Sequence, residues 1–175
     1  MPTALNYGWE QYLMLVEELC RKIRDSGHPI DQVIAIPKGG NYPADIVARV
    51  FDVPIAYLPA ERYDPKSHKE RGRTVFQRQL ASTAPGMGLD CWVIDDLDDK
   101  GLTLEQTVAW LRSRFPDVNF KVAVLWHKTC SCITPDLWVK TIEAGEDGEW
   151  PWIVQPFERY ESMTPEDLGA SESSE

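Results

Sequence analysis

The sequence predicts an α/β fold: a single domain whose central, mostly parallel sheet is flanked by helices. Three observations predict it. The apolar run 92–94 (Trp-Val-Ile) leads through a cluster of acids and a glycine into a helical-looking segment, 105–114. An earlier apolar run, 33–36, leads through Pro37-Lys38-Gly39-Gly40 into a second helical segment, 43–51. Strand, short loop and helix in that order form half of a βαβ unit, and two such units favour parallel strands. The length of 175 residues suits one domain with a sizeable core, and no repeat or linker divides it.

Taken in order, the first element is a helix over 9–24. Trp9, Tyr12, Leu13, Val16, Leu19, Cys20 and Ile23 recur at helical spacing, and Ser26-Gly27 ends the segment. The strand 33–36 and the helix 43–51 follow, then a strand over 53–58. The stretch 59–84 is long and polar, and its Arg62, Lys66, Lys69, Arg71 and Arg73 contrast with an acidic remainder. Loops of this length inside a domain are functional or mobile; part of it, 74–80, could instead pair as an edge strand. After the strand 92–94 comes an acidic loop and a helix reaching 115, ended near Pro116. A buried strand over 120–125, a strand over 135–140 and an acidic turn over 143–149 complete the order. The acidic segment 161–175 is short of apolar residues and is expected to lack structure, leaving a domain over 1–160.

Composition narrows the function classes. A hydrophobic share of 43% and a charged share of 26% are those of an ordinary soluble protein. A net charge of −10 argues against nucleic-acid binding by charge alone. No apolar run approaches the ~20 residues of a membrane span, and residues 1–9 lack a secretory pattern, so a cytoplasmic protein is expected. Cys20, Cys91, Cys130 and Cys132 have no zinc-site spacing, and they are read as buried or incidental thiols. His28, His68 and His127 are scattered, with no nucleophile arrangement among them.

The chemistry concentrates between residues 91 and 104. Asp95, Asp96, Asp98 and Asp99 follow the apolar run, and Gly101 and Thr103 precede the helix. Backbone N–H groups converging on a helix start favour an anion, and Gly101 lets the chain come close. Adjacent carboxylates do not serve a phosphate directly, but they hold Mg²⁺ through its waters or accept hydrogen bonds from sugar hydroxyls. Together these features suggest a ribose-phosphate site. Lys38-Gly39-Gly40 offers a second place where backbone amides can face an anion, with Lys38 adding a charge. A tight turn and a solvated acidic cap are the plainer readings of these two loops.

Residues 93–103 (Val-Ile-Asp-Asp-Leu-Asp-Asp-Lys-Gly-Leu-Thr) resemble the phosphoribosyl pyrophosphate motif of type I phosphoribosyltransferases. Asp95 and Asp96 match its acid pair, Asp99 its third acid, Gly101 its glycine and Thr103 its last hydroxyl; Lys100 replaces the usual Thr or Ser. Residues 34–48 resemble the pyrophosphate loop of the purine members, and 150–158 resemble the hood of the xanthine/guanine members. The similarity runs from about residue 9 to 158.

The resemblance implies the type I phosphoribosyltransferase fold, with a small hood formed by the chain ends over the base site. It implies that Lys38, Gly39 and Gly40 contact pyrophosphate, after a cis Pro37–Lys38 peptide, and that the stretch 59–84 is a flap. Asp99, Lys100, Gly101, Leu102 and Thr103 become the 5′-phosphate loop. Asp95 and Asp96 bind ribose hydroxyls or Mg²⁺, with Glu158 as a further acid for the metal, and Asp99 acts as general base. Lys128 binds the exocyclic oxygen of a purine, Trp152 stacks on the ring and Ile153 contacts its edge through the backbone. The implied activity transfers phosphoribose from phosphoribosyl pyrophosphate to a 6-oxopurine (xanthine, guanine or hypoxanthine), with Mg²⁺ as cofactor, in a homodimer or homotetramer. A non-catalytic sensor of phosphoribosyl pyrophosphate or nucleotide, on the same fold, is the alternative. A response-regulator-like domain that uses the acids for Mg²⁺ leaves Lys38-Gly39-Gly40 and Trp152 unexplained.

Overall fold

The computed structural model describes residues 3–58, 60–62, 74–76 and 80–168, with side chains outside 60–62 and 74–76. In chain order the elements are β1 (Ala4–Asn6), α1 (Trp9–Asp25), β2 (Gln32–Ala35), α2 (Asn41–Phe51), β3 (Ile55–Tyr57), β4 (Ala60–Arg62) and β5 (Thr74–Phe76). Then come β6 (Ala81–Ser82), β7 (Asp90–Asp98), α3 (Leu102–Arg114), β8 (Asn119–Lys128), β9 (Leu137–Ile142) and β10 (Trp152–Val154), followed by two 3₁₀ turns. They fall into two compact units, one of residues 15–143 and one of 1–14 with 144–175.

The larger unit holds a six-stranded sheet in the order β6-β3-β2-β7-β8-β9. All neighbours are parallel except β6, which runs antiparallel to β3 at one edge. The mostly parallel α/β sheet expected from the two strand–loop–helix units is therefore observed. Central strands covered on both faces read as continuous apolar runs, as β7 and β8 do. Their alternate residues serve two layers. Ile34, Cys91, Val93, Val122 and Val124 join Leu104, Val108 and Leu111 of α3 in one buried cluster. Val33, Ala35, Trp92, Ile94, Ala123 and Leu125, the intervening positions, are buried too, and α2 packs against β2, β3 and β7. From β2 the chain moves outward to β3, whereas β7 leads the other way to β8 and β9. The strand order reverses between the parallel neighbours β2 and β7, leaving the kind of crevice in which α/β proteins bind ligands at the strands' carboxyl ends.

Several boundaries differ from the sequence expectation. The acids after Ile94 do not begin a loop: β7 continues to Asp98 because β8 pairs with it as far as Asp98↔His127. For the same reason β8 runs past 125 to Lys128. α3 starts at Leu102 rather than 105, so Leu102 and Thr103 form its first turn, and α2 starts at Asn41. The strand expected over 53–58 shortens to Ile55–Tyr57, with the Pro54 carbonyl accepting from Val33 N at 2.9 Å. The long stretch 59–84 carries β6 and the antiparallel pair β4–β5; Lys66, Lys69, Arg71 and Arg73 lie outside the described residues.

The smaller unit pairs β1 with β10 in parallel, Ala4 opposite Trp152 and Asn6 opposite Val154. Trp9, Tyr12 and Phe157 form a ring cluster, with centroids 5.8 Å apart for Tyr12 and Phe157 and 6.1 Å for Trp9 and Tyr12. Beyond β10 come the 3₁₀ turns Glu158–Glu161 and Pro165–Asp167, the second closed by a Thr164–Asp167 capping box; of the acidic segment expected to lack structure, 161–175, the part after 168 lies outside the described residues. Among the described residues no helix is long and apolar enough to cross a membrane.

Candidate active site

The two loops singled out in the sequence meet at the crevice between β2 and β7. Residues 36–39 and 95–104 line one cavity of about 400 Å³, within the range of small-molecule sites. Close backbone approach explains the glycines. A side chain on Gly39 would run into the Asp96 carboxylate, and one on Gly40 would meet the Ile36 and Ile94 carbonyl oxygens at 2.6 and 2.7 Å. Lys38 follows a cis peptide bond from Pro37, as the resemblance implied. At the other side, Gly101 stands before α3 with φ +75°, a left-handed conformation that favours glycine. A Cβ there would strike Ser131 Oγ and sit 2.8 Å from Ile133 Cγ2. The N-terminus of α3 thus opens toward the cavity with Lys100, Gly101, Leu102 and Thr103 around it, an arrangement suited to an anion.

The acids have separate environments. Asp95 Oδ1 accepts the N–H of Asp96 at 2.9 Å. Burial first, and the neighbouring Asp96 carboxylate second, push the Asp95 carboxyl well above the usual carboxylate range. A divalent cation would relieve that conflict, so the pair fits Mg²⁺ by its donor chemistry. Among the described residues no group of three or more His, Cys, Asp or Glu is gathered for a metal. An ion held by Asp95 and Asp96 would therefore keep waters and take further oxygens from a substrate, the usual manner of Mg²⁺. Glu158 lies in the smaller unit, where its Oε1 accepts the Gln155 N–H at 3.2 Å.

Asp99, just past the end of β7, forms an ion pair with Lys128 at the end of β8, Oδ1 to Nζ 2.9 Å. Lys128 is buried, at 5% exposure, so it is not the solvated lysine that a strand end commonly carries. Asp99 keeps 40% of its side chain exposed. Sequence reasoning missed three residues beside this pair. Asp98 is buried, accepting from His127 Nδ1 at 2.7 Å and from Ser131 Oγ at 2.8 Å. In the sequence Asp98 was one acid of a run and His127 one scattered histidine; the β7–β8 register joins them. Of the thiols, Cys20 and Cys91 are buried, whereas Cys130 and Cys132 are exposed, which corrects any reading of that pair as buried. Burial pushes the Cys91 thiol up to about 12.

In the smaller unit, Trp152 is 58% exposed and Ile153 is buried, on adjacent positions of β10. The structure therefore brings Lys38, Gly39, Asp95, Asp96, Asp99, Lys100, Gly101, Leu102 and Thr103 to one cavity, with Gly40 packed behind it and Lys128 on Asp99.

A mostly parallel α/β sheet with a helix start and a carboxylate pair meeting at its switch point is the architecture of an α/β protein with its ligand site at the strands' carboxyl ends. The family profile described as the phosphoribosyl transferase domain matches residues 7–162, and the chain belongs to that family of glycosyltransferases. It is 27% identical over 150 residues to a xanthine-guanine phosphoribosyltransferase of Nitratidesulfovibrio vulgaris, spanning 86% of this chain and 82% of that protein. Among solved structures it resembles a purine phosphoribosyltransferase from Pyrococcus horikoshii Ot3, at 24% identity and a TM-score of 0.68, over 88% of this chain and 93% of that one. It also resembles the Helicobacter pylori xanthine-guanine-hypoxanthine phosphoribosyltransferase, at 20% identity and a TM-score of 0.71, over 89% and 94%. At those identities the structural likeness establishes the shared fold.

Proposed function

We propose that the protein transfers phosphoribose from phosphoribosyl pyrophosphate to a 6-oxopurine, either xanthine, guanine or hypoxanthine, releasing the nucleoside monophosphate and pyrophosphate. The observation that carries this reading is the Asp99–Lys128 ion pair at the edge of the phosphate-binding loop. It joins a carboxylate able to take a proton with a buried cation able to hold an exocyclic oxygen, next to a helix start that takes a phosphate.

In the reaction a purine ring nitrogen bonds to the anomeric carbon while the carbon–oxygen bond to pyrophosphate breaks. The electron pair leaves with pyrophosphate, and the proton on the ring nitrogen passes to Asp99. Positive charge builds on the ribose during this exchange, close to the carboxylates Asp95 and Asp96, which would also bind the ribose hydroxyls. Lys38 and the amides around Gly39 and Gly40 would take charge building on the leaving group. Asp95 and Asp96 would hold Mg²⁺, which when bound would offset charge on the pyrophosphate oxygens. Lys128 would donate to the purine's exocyclic oxygen. Trp152 presents an exposed aromatic face of the kind a flat base stacks on, and Ile153 an adjacent backbone edge. Lys100 would meet the 5′-phosphate as a point charge where a hydroxyl is usual.

The test is nucleotide formation with phosphoribosyl pyrophosphate, Mg²⁺ and each of hypoxanthine, guanine, xanthine and adenine. Conversion of one or more oxopurines, and not of adenine, is expected. Tight binding of phosphoribosyl pyrophosphate without any conversion would refute the transferase and leave a sensor on the same fold.

A further inference from the structure

Asp98 closes β7 as one of the residues lining the cavity, but its side chain is wholly enclosed and closed off from solvent. A carboxylate at that depth persists only when its oxygens are bonded. Both are: Oδ2 accepts from His127 Nδ1 at 2.7 Å and Oδ1 from Ser131 Oγ at 2.8 Å. Neither partner belongs to the reaction proposed above. Ser131 nevertheless touches groups that do, and His127 is the chain neighbour of Lys128.

His127 stands opposite Asp98 in the β7–β8 register. The next residue on each side, Asp99 and Lys128, makes an ion pair, so a hydrogen-bonded pair and an ion pair in succession staple the ends of these strands. Ser131 anchors the turn after β8, donating its N–H to Lys128 O at 2.9 Å and accepting the Ile133 N–H at 3.3 Å. This turn is the floor of the phosphate loop. Cys132 N donates to Lys100 O at 3.2 Å, Cys130 Sγ lies 3.6 Å from Asp99 O, and Gly101 rests so closely on Ser131 and Ile133 that no Cβ fits between them. The chain of contacts runs from Asp98 through Ser131 to the backbone of residues 99–101.

We infer that Asp98 is a positioning residue, which through Ser131 holds the turn 130–133 at the height that shapes the 5′-phosphate loop. A buried carboxylate used only to fill space could be exchanged for an apolar side chain of similar size without effect on that loop; this one could not.

The kinetic consequence rests on the proposed transferase reading, whereas loop positioning does not, and the experiment reads both. Amide hydrogen exchange is followed by mass spectrometry in the free full-length chain and in Asp98→Asn, Asp98→Val and Ser131→Ala, with peptides covering 99–104 and, as reference, β2. In Ser131→Ala and Asp98→Val, exchange over 99–104 should quicken roughly tenfold, the loss of one hydrogen bond to a charged group, while β2 stays as in the wild type. Asp98→Asn, which retains an acceptor for Ser131, should restore most of the protection. With the enzyme active, the KM for phosphoribosyl pyrophosphate in Ser131→Ala should rise by a similar factor, with kcat and the KM for the base within about threefold. Unchanged exchange over 99–104 in Ser131→Ala overturns the inference whatever the activity, and so does quickening spread equally to β2. A wild type that makes no nucleotide refutes the transferase reading alone, because the exchange result stands without it. Should Asp98→Val fail to fold, Ser131→Ala still decides.

Discussion

Replacing Gly101 with alanine tests the geometry of the proposed phosphate loop, and the structure supplies its own control. Gly101 has φ +75° and no room for a methyl group against Ser131 and Ile133. Gly27 has φ +68° and nothing within 4 Å of where its Cβ would stand. An alanine at either position bears the left-handed backbone penalty of about 1–2 kcal/mol. Only the one at 101 adds a steric conflict, worth about 1–3 kcal/mol for overpacking. For a chain of this size 1 kcal/mol moves Tm by roughly 2–4 °C. Gly27→Ala should therefore lose roughly 2–8 °C and Gly101→Ala roughly 4–20 °C, by thermal unfolding of the two variants under one set of conditions. The excess should be matched by weaker phosphoribosyl pyrophosphate binding in Gly101→Ala and by none in Gly27→Ala. Equal Tm losses with equal phosphoribosyl pyrophosphate affinity would refute the argument that the turn 130–133 is packed against the loop.

Three further outcomes follow from the site. Lys128→Met removes a buried ammonium and leaves Asp99, already 40% exposed, to water; the charge left behind is solvated rather than buried, so stability should change by no more than about 1 kcal/mol. The KM for the purine should rise at least about tenfold through loss of a charge-assisted hydrogen bond, and that for phosphoribosyl pyrophosphate much less. Trp152→Ala, at an exposed position, should change stability by less than about 0.5 kcal/mol, yet weaken the base by roughly 2- to 10-fold as stacking is lost. The third concerns pH without metal. The folded chain holds the Asp95 proton more tightly than the unfolded chain, since burial and Asp96 raise its pKa above 3.8. That proton's contribution to stability is fully present below the unfolded value and is lost as pH rises through the folded one. In EDTA, Asp95→Asn should be more stable than the wild type at neutral pH, with the gap closing toward pH 3.8. Mg²⁺ should raise the neutral-pH Tm of the wild type and not that of the variant.

What could be read in the sequence, and what could not, divides along a physical line. Gly39, Gly40 and Gly101 were legible because a backbone that must come within van der Waals contact of a carboxylate, a carbonyl or a hydroxyl tolerates only glycine. The apolar runs 33–36, 92–94 and 120–125 were legible because central parallel strands are covered on both faces. The ends of those strands were not. Asp95 to Asp98 look like loop residues by composition, and it is the pairing with β8, distant in sequence, that keeps them extended. The same holds for Lys128, whose burial depends on Asp99 across the register. The Asp98–His127–Ser131 network joins residues 29 and 33 positions apart, a pairing that no local pattern encodes. β1 was missed altogether, because three ordinary residues become a strand only through β10 at the other end of the chain.

The most direct test of the account is steady-state kinetics of Asp99→Asn beside the wild type, with the oxopurine that the wild type converts best. Asparagine keeps the shape and an acceptor for Lys128 but cannot take the ring proton. If Asp99 is the general base, kcat should fall by roughly 10²–10⁴, the usual range for such a group, with the KM for phosphoribosyl pyrophosphate within about threefold of wild type. A kcat within a few-fold of wild type would contradict it, since the proton would then leave by a route that does not need the carboxylate beside Lys128.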